Sequence, residues 1–267
     1  MDGVRLLADA DEATVLGVAA ALGLSPLGWV ITTNERPGGE PYGGKVFLSG
    51  LEVCTAAALQ QRFGTGVAEL SRFVTVVLEQ ADDIEPRAYQ VSDQCQALVR
   101  DGCLLPGPKD PLLVATRSVA ANEMAPTIVY HDRPLDNGAE FVPDAFLVKV
   151  IVMTAGPEQA LFVHNDFPSL PRLGLSGAAT ATATAAAAAE SAARARVKAT
   201  LVSRQSEPYH KRLSDFALLV ALARTGVFDA ALIARLGAEL VTKQPLSQRL
   251  SEDVDVALLQ HQLLDFK

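Results

Sequence analysis

Apolar residues at helical spacing, Val15, Val18 and Leu22, follow the acidic pair Asp11-Glu12 and predict a helix over about 11–22, ended by Gly23 and Pro26. The period then shortens. Residues 27–33, Leu-Gly-Trp-Val-Ile-Thr-Thr, are rich in β-formers and read as a strand. Four glycines and two prolines in 34–44 break both periods and predict a surface loop or hairpin. A short strand over 45–48 leads into Ser49-x-x-Glu52, a capping box that opens a helix to about Phe63, with Leu51, Cys54 and Ala58 expected on its buried face. Residues 72–79 hold the strongest β-branched run and are expected at the centre of a sheet. The stretch 82–86 turns the chain into Tyr89-Gln90-Val91. Ser92 then caps a helix carrying Cys95, Leu98 and Val99 as far as Gly102. After a Pro-punctuated stretch over 104–111, strands are expected over 127–130 and 146–153, with Asp136-Asn137-Gly138 supplying a tight turn between them.

Helices and strands mix without a strict βαβ rhythm, which favours an α+β or three-layer α/β fold over a doubly wound sheet. From 174 the composition changes to Ala, Thr, Ser and Gly, too poor in apolar surface to hold a unique fold, so a boundary is expected there. The later part, 185–198, has high helix propensity and is expected as a marginal helix stabilised by packing. The end of the chain reads as helical. Ser214-Asp215 caps a run with Phe216, Leu219, Val220 and Ala223 at core spacing that Gly226 ends; further helices are expected over 229–241 and 251–264. The expected division is 1–173, a linker or insertion over 174–200, and a helical domain over 201–267.

Composition adds exclusions. With 49% apolar and 20% charged residues the chain is ordinary for a globular protein, and no apolar run reaches the roughly 18 residues that span a bilayer. The start carries neither a cationic signal peptide nor an Arg-rich transit peptide. A net charge of -8 argues against general phosphate-backbone binding, so no nucleic-acid partner is expected. The basic run Arg194, Arg196, Lys198 and Arg204 reads as a solvated helix face or linker. Three scattered cysteines, Cys54, Cys95 and Cys103, form no C-x-x-C and read as reduced core thiols in the cytosol or nucleus.

Few constellations could carry chemistry. Gly39-x4-Gly44-Lys45 lacks the hydroxyl of a phosphate loop, having Val46 there, and it feeds a strand where that loop needs a helix. His131, His164, His210 and His261 are isolated in sequence. His164 and Asp166 have no Gly-x-Ser-x-Gly elbow to raise a nucleophile beside them. Ser49 and Glu52 are explained by the capping box alone.

The strand ending at Ile31 and Thr33, followed by Ser49 and Glu52, nevertheless resembles an MPN domain. In metal-dependent members two zinc-binding histidines stand where this chain has Ile31 and Thr33, with a serine and an aspartate where it has Ser49 and Glu52. A catalytic zinc needs about three protein ligands and an open position for water. Ile31 cannot ligate and Thr33 is a poor substitute for imidazole, so these four positions read as a degenerate metalloprotease motif with no catalytic residue, metal or cofactor expected.

The resemblance narrows across Gly28-Trp29, Phe47-Leu48-Ser49, Ser71 to Thr75, Tyr89 to Pro106, Phe141-Val142-Pro143-Asp144, Phe167-Pro168 and Ser214 to Leu219. These blocks are similar to the nuclear protein localisation four family. The resemblance implies an α+β, three-layer α/β/α-like MPN domain, cytidine-deaminase-like, with a helical C-terminal region. It also implies a non-catalytic cofactor that pairs with ubiquitin fusion degradation protein one and binds ubiquitin and polyubiquitin chains. The pair delivers polyubiquitinated substrates to the valosin-containing AAA ATPase, in cytoplasm and nucleus and at the ER membrane through partners. The family's ubiquitin-like domain, ATPase-gripping zinc fingers and early MPN strands find no match here, so direct ATPase contact is not expected from this stretch. The dense polar and aromatic residues Tyr89, Gln90, Asp93, Gln94 and Arg100 are the expected partner-binding set. The alternative is a structural MPN subunit of another assembly.

Overall fold

A computed structural model of the chain describes residues 9, 11–33, 48–64, 71–79, 86–120, 127–130, 132–150, 160–168 and 183–261. It forms two compact units, one built on Pro26–Met153 and one on Leu6–Ser25 with Thr154–Lys267. The architecture is α+β with a helical C-terminal region.

The first unit is organised by a four-stranded mixed sheet. The β-rich run over 27–33 forms β1 (Gly28–Thr33), which pairs parallel with β2 (Val74–Glu79); β2 pairs antiparallel with β3 (Pro86–Val91). The remaining edge is β9 (Leu147–Val150), antiparallel to β3. The strongest β-branched run therefore does lie inside the sheet. Between β1 and β2 the chain makes α2 (Gly50–Phe63), the crossover that parallel neighbours require. Register and alternation put Trp29, Ile31, Thr75, Val77, Tyr89 and Val91 on one face. That face and the α2 residues Val53, Cys54, Ala56 and Ala57 share one core. Of the expected buried side of α2, Cys54 is buried, but Leu51 is half-buried and Ala58 exposed, because the buried side is formed by Gly50, Val53, Cys54, Ala56, Ala57 and Gln60.

Close approach explains Gly50. Its N–H donates to Leu112 O at 3.0 Å, and a Cβ there would overlap the Leu113 carbonyl oxygen. The strand behind that contact is β5 (Val114–Thr116), the centre of a small antiparallel sheet with β4 (Leu104–Pro106) and β8 (Glu140–Phe141). The pairing of β6 (Val129–Tyr130) with β7 (Arg133–Pro134) completes the strands of this unit among the described residues. Gly138, at φ 73°, closes the expected turn, with Ala139 N–H donating to Asp136 O at 3.1 Å. The loop expected over 34–44, the strand over 45–47 and the turn over 82–85 lie outside the described residues.

In the second unit, α1 (Glu12–Ala21) packs with helices from the far end of the chain rather than with the strands that follow it. The Ala/Thr tract runs into α4 (Ala183–Ser203), which is longer than the expected 185–198 and buries Ala193, Val197 and Leu201. A short turn α5 (Tyr209–Arg212) precedes α6 (Phe216–Arg224), α7 (Ala230–Val241) and α8 (Gln248–Gln260). Asp215 and Asp229 cap α6 and α7. The last helix starts earlier than the expected 251, because Ser247 is its cap, accepting from Leu250 N–H. Leu218, Leu219, Leu222, Leu236, Leu250, Val254 and Leu258 form the core with Val18 of α1 and Leu22, which follows it. Gly237 marks the tightest crossing: a Cβ there would overlap the carbonyl oxygen of Ala21.

Candidate partner-binding site

The four positions expected as a degenerate metalloprotease motif, Ile31, Thr33, Ser49 and Glu52, are engaged in structure. Ile31 packs against the core of the first unit, on the same face as Trp29, whose Nε1 donates to Thr75 Oγ1 at 2.7 Å. Thr33 ends β1. Ser49 is buried, and its backbone N–H donates to Glu52 Oε2 at 2.7 Å, while Glu52 N–H donates to Ser49 Oγ at 3.3 Å. This reciprocal box satisfies two of the orphan donors at the start of α2 and holds both side chains against their own backbone. Among the described residues no group of three or more His, Cys, Asp or Glu side chains could hold a metal ion.

The block 89–106 builds β3, then α3 (Asp93–Arg100), then β4. Ser92 caps α3, its Oγ accepting from Cys95 N–H at 3.3 Å while its own N–H donates to Phe146 O at 2.9 Å. Gly102, at φ 65°, closes the helix, and Cys103 N–H donates to Leu98 O at 2.8 Å. Sheet and helix are joined by buried Gln60 of α2, whose amide donates to Val91 O at 3.1 Å and accepts from Val91 N–H at 3.0 Å. A side chain thus takes the place of a strand at the end of β3.

The five expected partner-binding residues divide into two groups. Tyr89 is buried on the α2 face of the sheet, and Gln90, on the opposite face, donates to Ser71 O at 2.6 Å and Phe73 O at 3.0 Å. Asp93, Gln94 and Arg100 are exposed on α3. Asp93 Oδ1 accepts from Gln96 Nε2 at 3.3 Å, Gln94 Nε2 reaches Val129 O at 3.5 Å, and Arg100 Nε pairs with Asp101 Oδ1 at 2.9 Å. Seven residues apart, Asp93 and Arg100 lie on one side of the helix.

Two further blocks are tied down by polar contacts that the sequence did not announce. Tyr130 bonds through its hydroxyl to Val142 O and to Asp144 Oδ1, and its ring lies 4.5 Å from that of Phe141. Burial, with the Asp144 bond, pushes the Tyr130 hydroxyl pKa upward. In the second unit, residues 160–168 are strapped to the start of α6: Val163 N–H donates to Ser214 Oγ and His164 N–H to Ser214 O, at 3.0 and 2.9 Å. Phe167 is buried, with its N–H on Asp215 Oδ2 at 3.1 Å. Arg204 reaches the same oxygen at 3.1 Å and also pairs with Asp166. The basic run read as a solvated face is therefore corrected at Arg204, which is 5% exposed and ion-paired; Arg196 and Lys198 are exposed. No local pattern marks this, since its carboxylates come from 38 and 11 residues away.

The thiols suit a packing role. Burial pushes Cys54 up to about 11 and Cys95 to about 12, the opposite of what a nucleophile needs.

Comparison with known proteins matches these blocks to one family. The NPL4 family model matches residues 1–258. The chain is 33% identical over 192 residues to the nuclear protein localization protein 4 homologs of Mus musculus and Homo sapiens, covering 62% of this chain and 31% of each relative. A longer match, 26% identical over 258 residues, joins it to nuclear protein localization protein 4 of Eremothecium gossypii, covering 87% of this chain and 44% of the relative. The chain thus spans 31–44% of the length of these relatives, and it belongs to the NPL4 family.

Proposed function

We propose that this chain is a non-catalytic ubiquitin-binding adaptor, which helps deliver polyubiquitinated substrates to an AAA ATPase segregase for unfolding and proteasomal degradation. The observation that carries the reading is the reciprocal bonding of Ser49 and Glu52. A serine and an acid at the protease positions serve as a helix cap, and the hydrocarbon of Ile31 serves the core, so the frame of a hydrolase is kept without a ligand set that could activate water. In this reading the strand-bearing unit is an MPN-type pseudoprotease domain, followed by the helical C-terminal domain.

In this reading the contact surface is α3, and its support is that Asp93, Gln94 and Arg100 are exposed there, with Tyr89 and Gln90 fixing the helix entry from β3. Its partners are ubiquitin chains and ubiquitin fusion degradation protein one, and through the latter the valosin-containing ATPase. The location is cytoplasm and nucleus, with peripheral recruitment to the ER membrane for ER-associated degradation.

The test is capture by immobilised polyubiquitin of defined linkage, with contacts mapped by crosslinking. Retention of the chain, with crosslinks on 89–100 and loss of binding in Asp93→Lys/Arg100→Glu, supports the reading. Recovery of an MPN-domain partner with no ubiquitin retention refutes it, as does stoichiometric zinc with chain cleavage that a chelator abolishes.

A further inference from the structure

Helix α2 is tied down near both ends. At its N-terminus the Ser49 box and the Gly50 bond to Leu112 O fix where it starts. Gln60 lies roughly 16 Å along the axis from Ser49. It follows Val53, Ala56 and Ala57 on the buried side, where the spacing calls for an apolar residue. The polar choice has a local cause. Pairing of β2 with β3 stops at Thr75 and Tyr89, short of buried Val91. Without a strand beside it, the N–H and carbonyl of Val91 need other partners, and the Gln60 carboxamide meets both, accepting at 3.0 Å and donating at 3.1 Å.

Val91 is also the residue from which α3 departs. Ser92 follows it, with its N–H on Phe146 O and its hydroxyl on Cys95 N–H. Two more glutamines converge on the same corner: Gln61 Nε2 donates to Gln96 O, and Gln96 Nε2 reaches Val91 O at 3.5 Å. The last turns of α2 therefore hold both the entry and the body of α3. We infer that α2 is a strut between the Ser49 box and α3, and that Gln60 is the positioning residue through which it sets the contact helix. The inference rests on the reading of α3 as the contact surface.

The carboxamide does here what a peptide group would do. Leucine fills similar space and offers neither bond. An ionised glutamate accepts from Val91 N–H but turns a second acceptor toward Val91 O; protonated, it regains a donor, and burial favours that neutral form. Gln60→Glu is thus a variant whose defect pH can reverse. Burial holds the Cys54 and Cys95 thiols of this core, at about 11 and about 12, and the Tyr130 hydroxyl in their neutral forms at lower pH, and Asp93, which accepts from Gln96 Nε2, is common to wild type and variant.

Hydrogen exchange of the full 267-residue chain, together with its affinity for immobilised polyubiquitin of defined linkage, tests this. In Gln60→Leu the amides of 96–100 should lose protection about tenfold or more, while those paired between β1 and β2 keep theirs. The same variant, under conditions where it is folded, should bind polyubiquitin about tenfold more weakly. Relative to wild type at each pH, Gln60→Glu should match Gln60→Leu at about pH 8.5 and approach wild type at about pH 6. Unchanged protection of α3 overturns the inference, as does a loss spread equally over β1 and β2, which would give Gln60 to the core alone. A Gln60→Glu defect that pH leaves in place overturns it too. If the wild type is retained and Gln60→Leu is retained equally well, the positioning role falls and the ubiquitin reading stands. If the wild type is not retained, the ubiquitin reading falls and α3 exchange alone decides the strut. Should Gln60→Leu fail to fold, Gln60→Glu at the two pH values carries the same comparison.

Discussion

Replacing Arg204 by Met removes one charge from a pair that water scarcely reaches: the side chains of Arg204 and Asp215 are 6% and 1% exposed. Asp215 keeps the N–H groups of Leu218 at 3.2 Å and Phe167 at 3.1 Å, but loses the Arg204 cation, and Arg212 O loses the donor at 3.3 Å. Removing one partner of a buried pair costs about 3–5 kcal/mol, against roughly 0–1 for an exposed one. At about 2–4 °C per kcal/mol, the midpoint of the helical unit should fall by roughly 6–20 °C. Far-UV circular dichroism follows that unit, since its elements are helices, while the single tryptophan, Trp29, reports separately on the sheet unit. The pair Arg204→Met/Asp215→Asn should be less damaged than the sum of its singles, with a coupling of about 0.5–3 kcal/mol. A loss below about 1 kcal/mol for Arg204→Met, with no coupling, would falsify the assignment of this ion pair as the anchor of the strap.

Ser49→Ala and Glu52→Ala should each cost about 1 kcal/mol in urea denaturation and be less than additive, because each supports the other's bond; a large additive loss counts against the box. Gly50→Ala should destabilise by about 1–3 kcal/mol or fail to fold, since the added carbon meets backbone and not a yielding side chain; a neutral effect in the same assay excludes the close contact with Leu113. Alkaline stability should follow the core thiols. Unfolded thiols ionise near the ordinary 9.0, whereas folded Cys54 and Cys95 wait until about 11 and about 12, so the unfolded chain releases protons first as pH rises. Their contribution is complete below pH 9 and is lost across about pH 9–12, and the double variant Cys54→Ala/Cys95→Ala should flatten that fall in urea midpoints. Native-state alkylation at pH 8 should label Cys103 well before either; equal rates contradict the burial.

Local chemistry was legible in the sequence where a few neighbouring residues settle the outcome. The Ser49 box, the Ser92 cap, the Asp136 turn and the stop at Gly226 are of this kind, and so is the central placement of 74–79. Phase was less legible. On α2, three successive alanines run from the buried side, Ala56 and Ala57, onto the exposed one, Ala58, so periodicity could not separate Ala57 from Ala58. Long-range partnership was not legible at all. Arg204 looks like its solvated neighbours until Asp215 and Asp166 are brought to it, and the Ser214-Asp215 pair divides its work, one residue holding the strap and the other capping the helix as well. At the candidate site the helix entry was readable, but the split between buried Tyr89 and exposed Asp93, Gln94 and Arg100 depends on which face of the sheet α2 covers.

The crossing of α1 against α7 sets an order of events during synthesis. Its ten residues leave the ribosome before the rest of their unit, and Gly237 and the α7 leucines that receive them lie more than 200 residues later. At about 5–20 residues per second, that is a wait of roughly 10–40 s. A helix of this length is marginal alone, so Val18 and Leu22 stay uncovered while the sheet unit completes between the two halves of their own core. The helical unit can close only once α7 has been made, and a nascent chain halted before α7 carries a finished sheet domain flanked by apolar segments that chaperones would recognise.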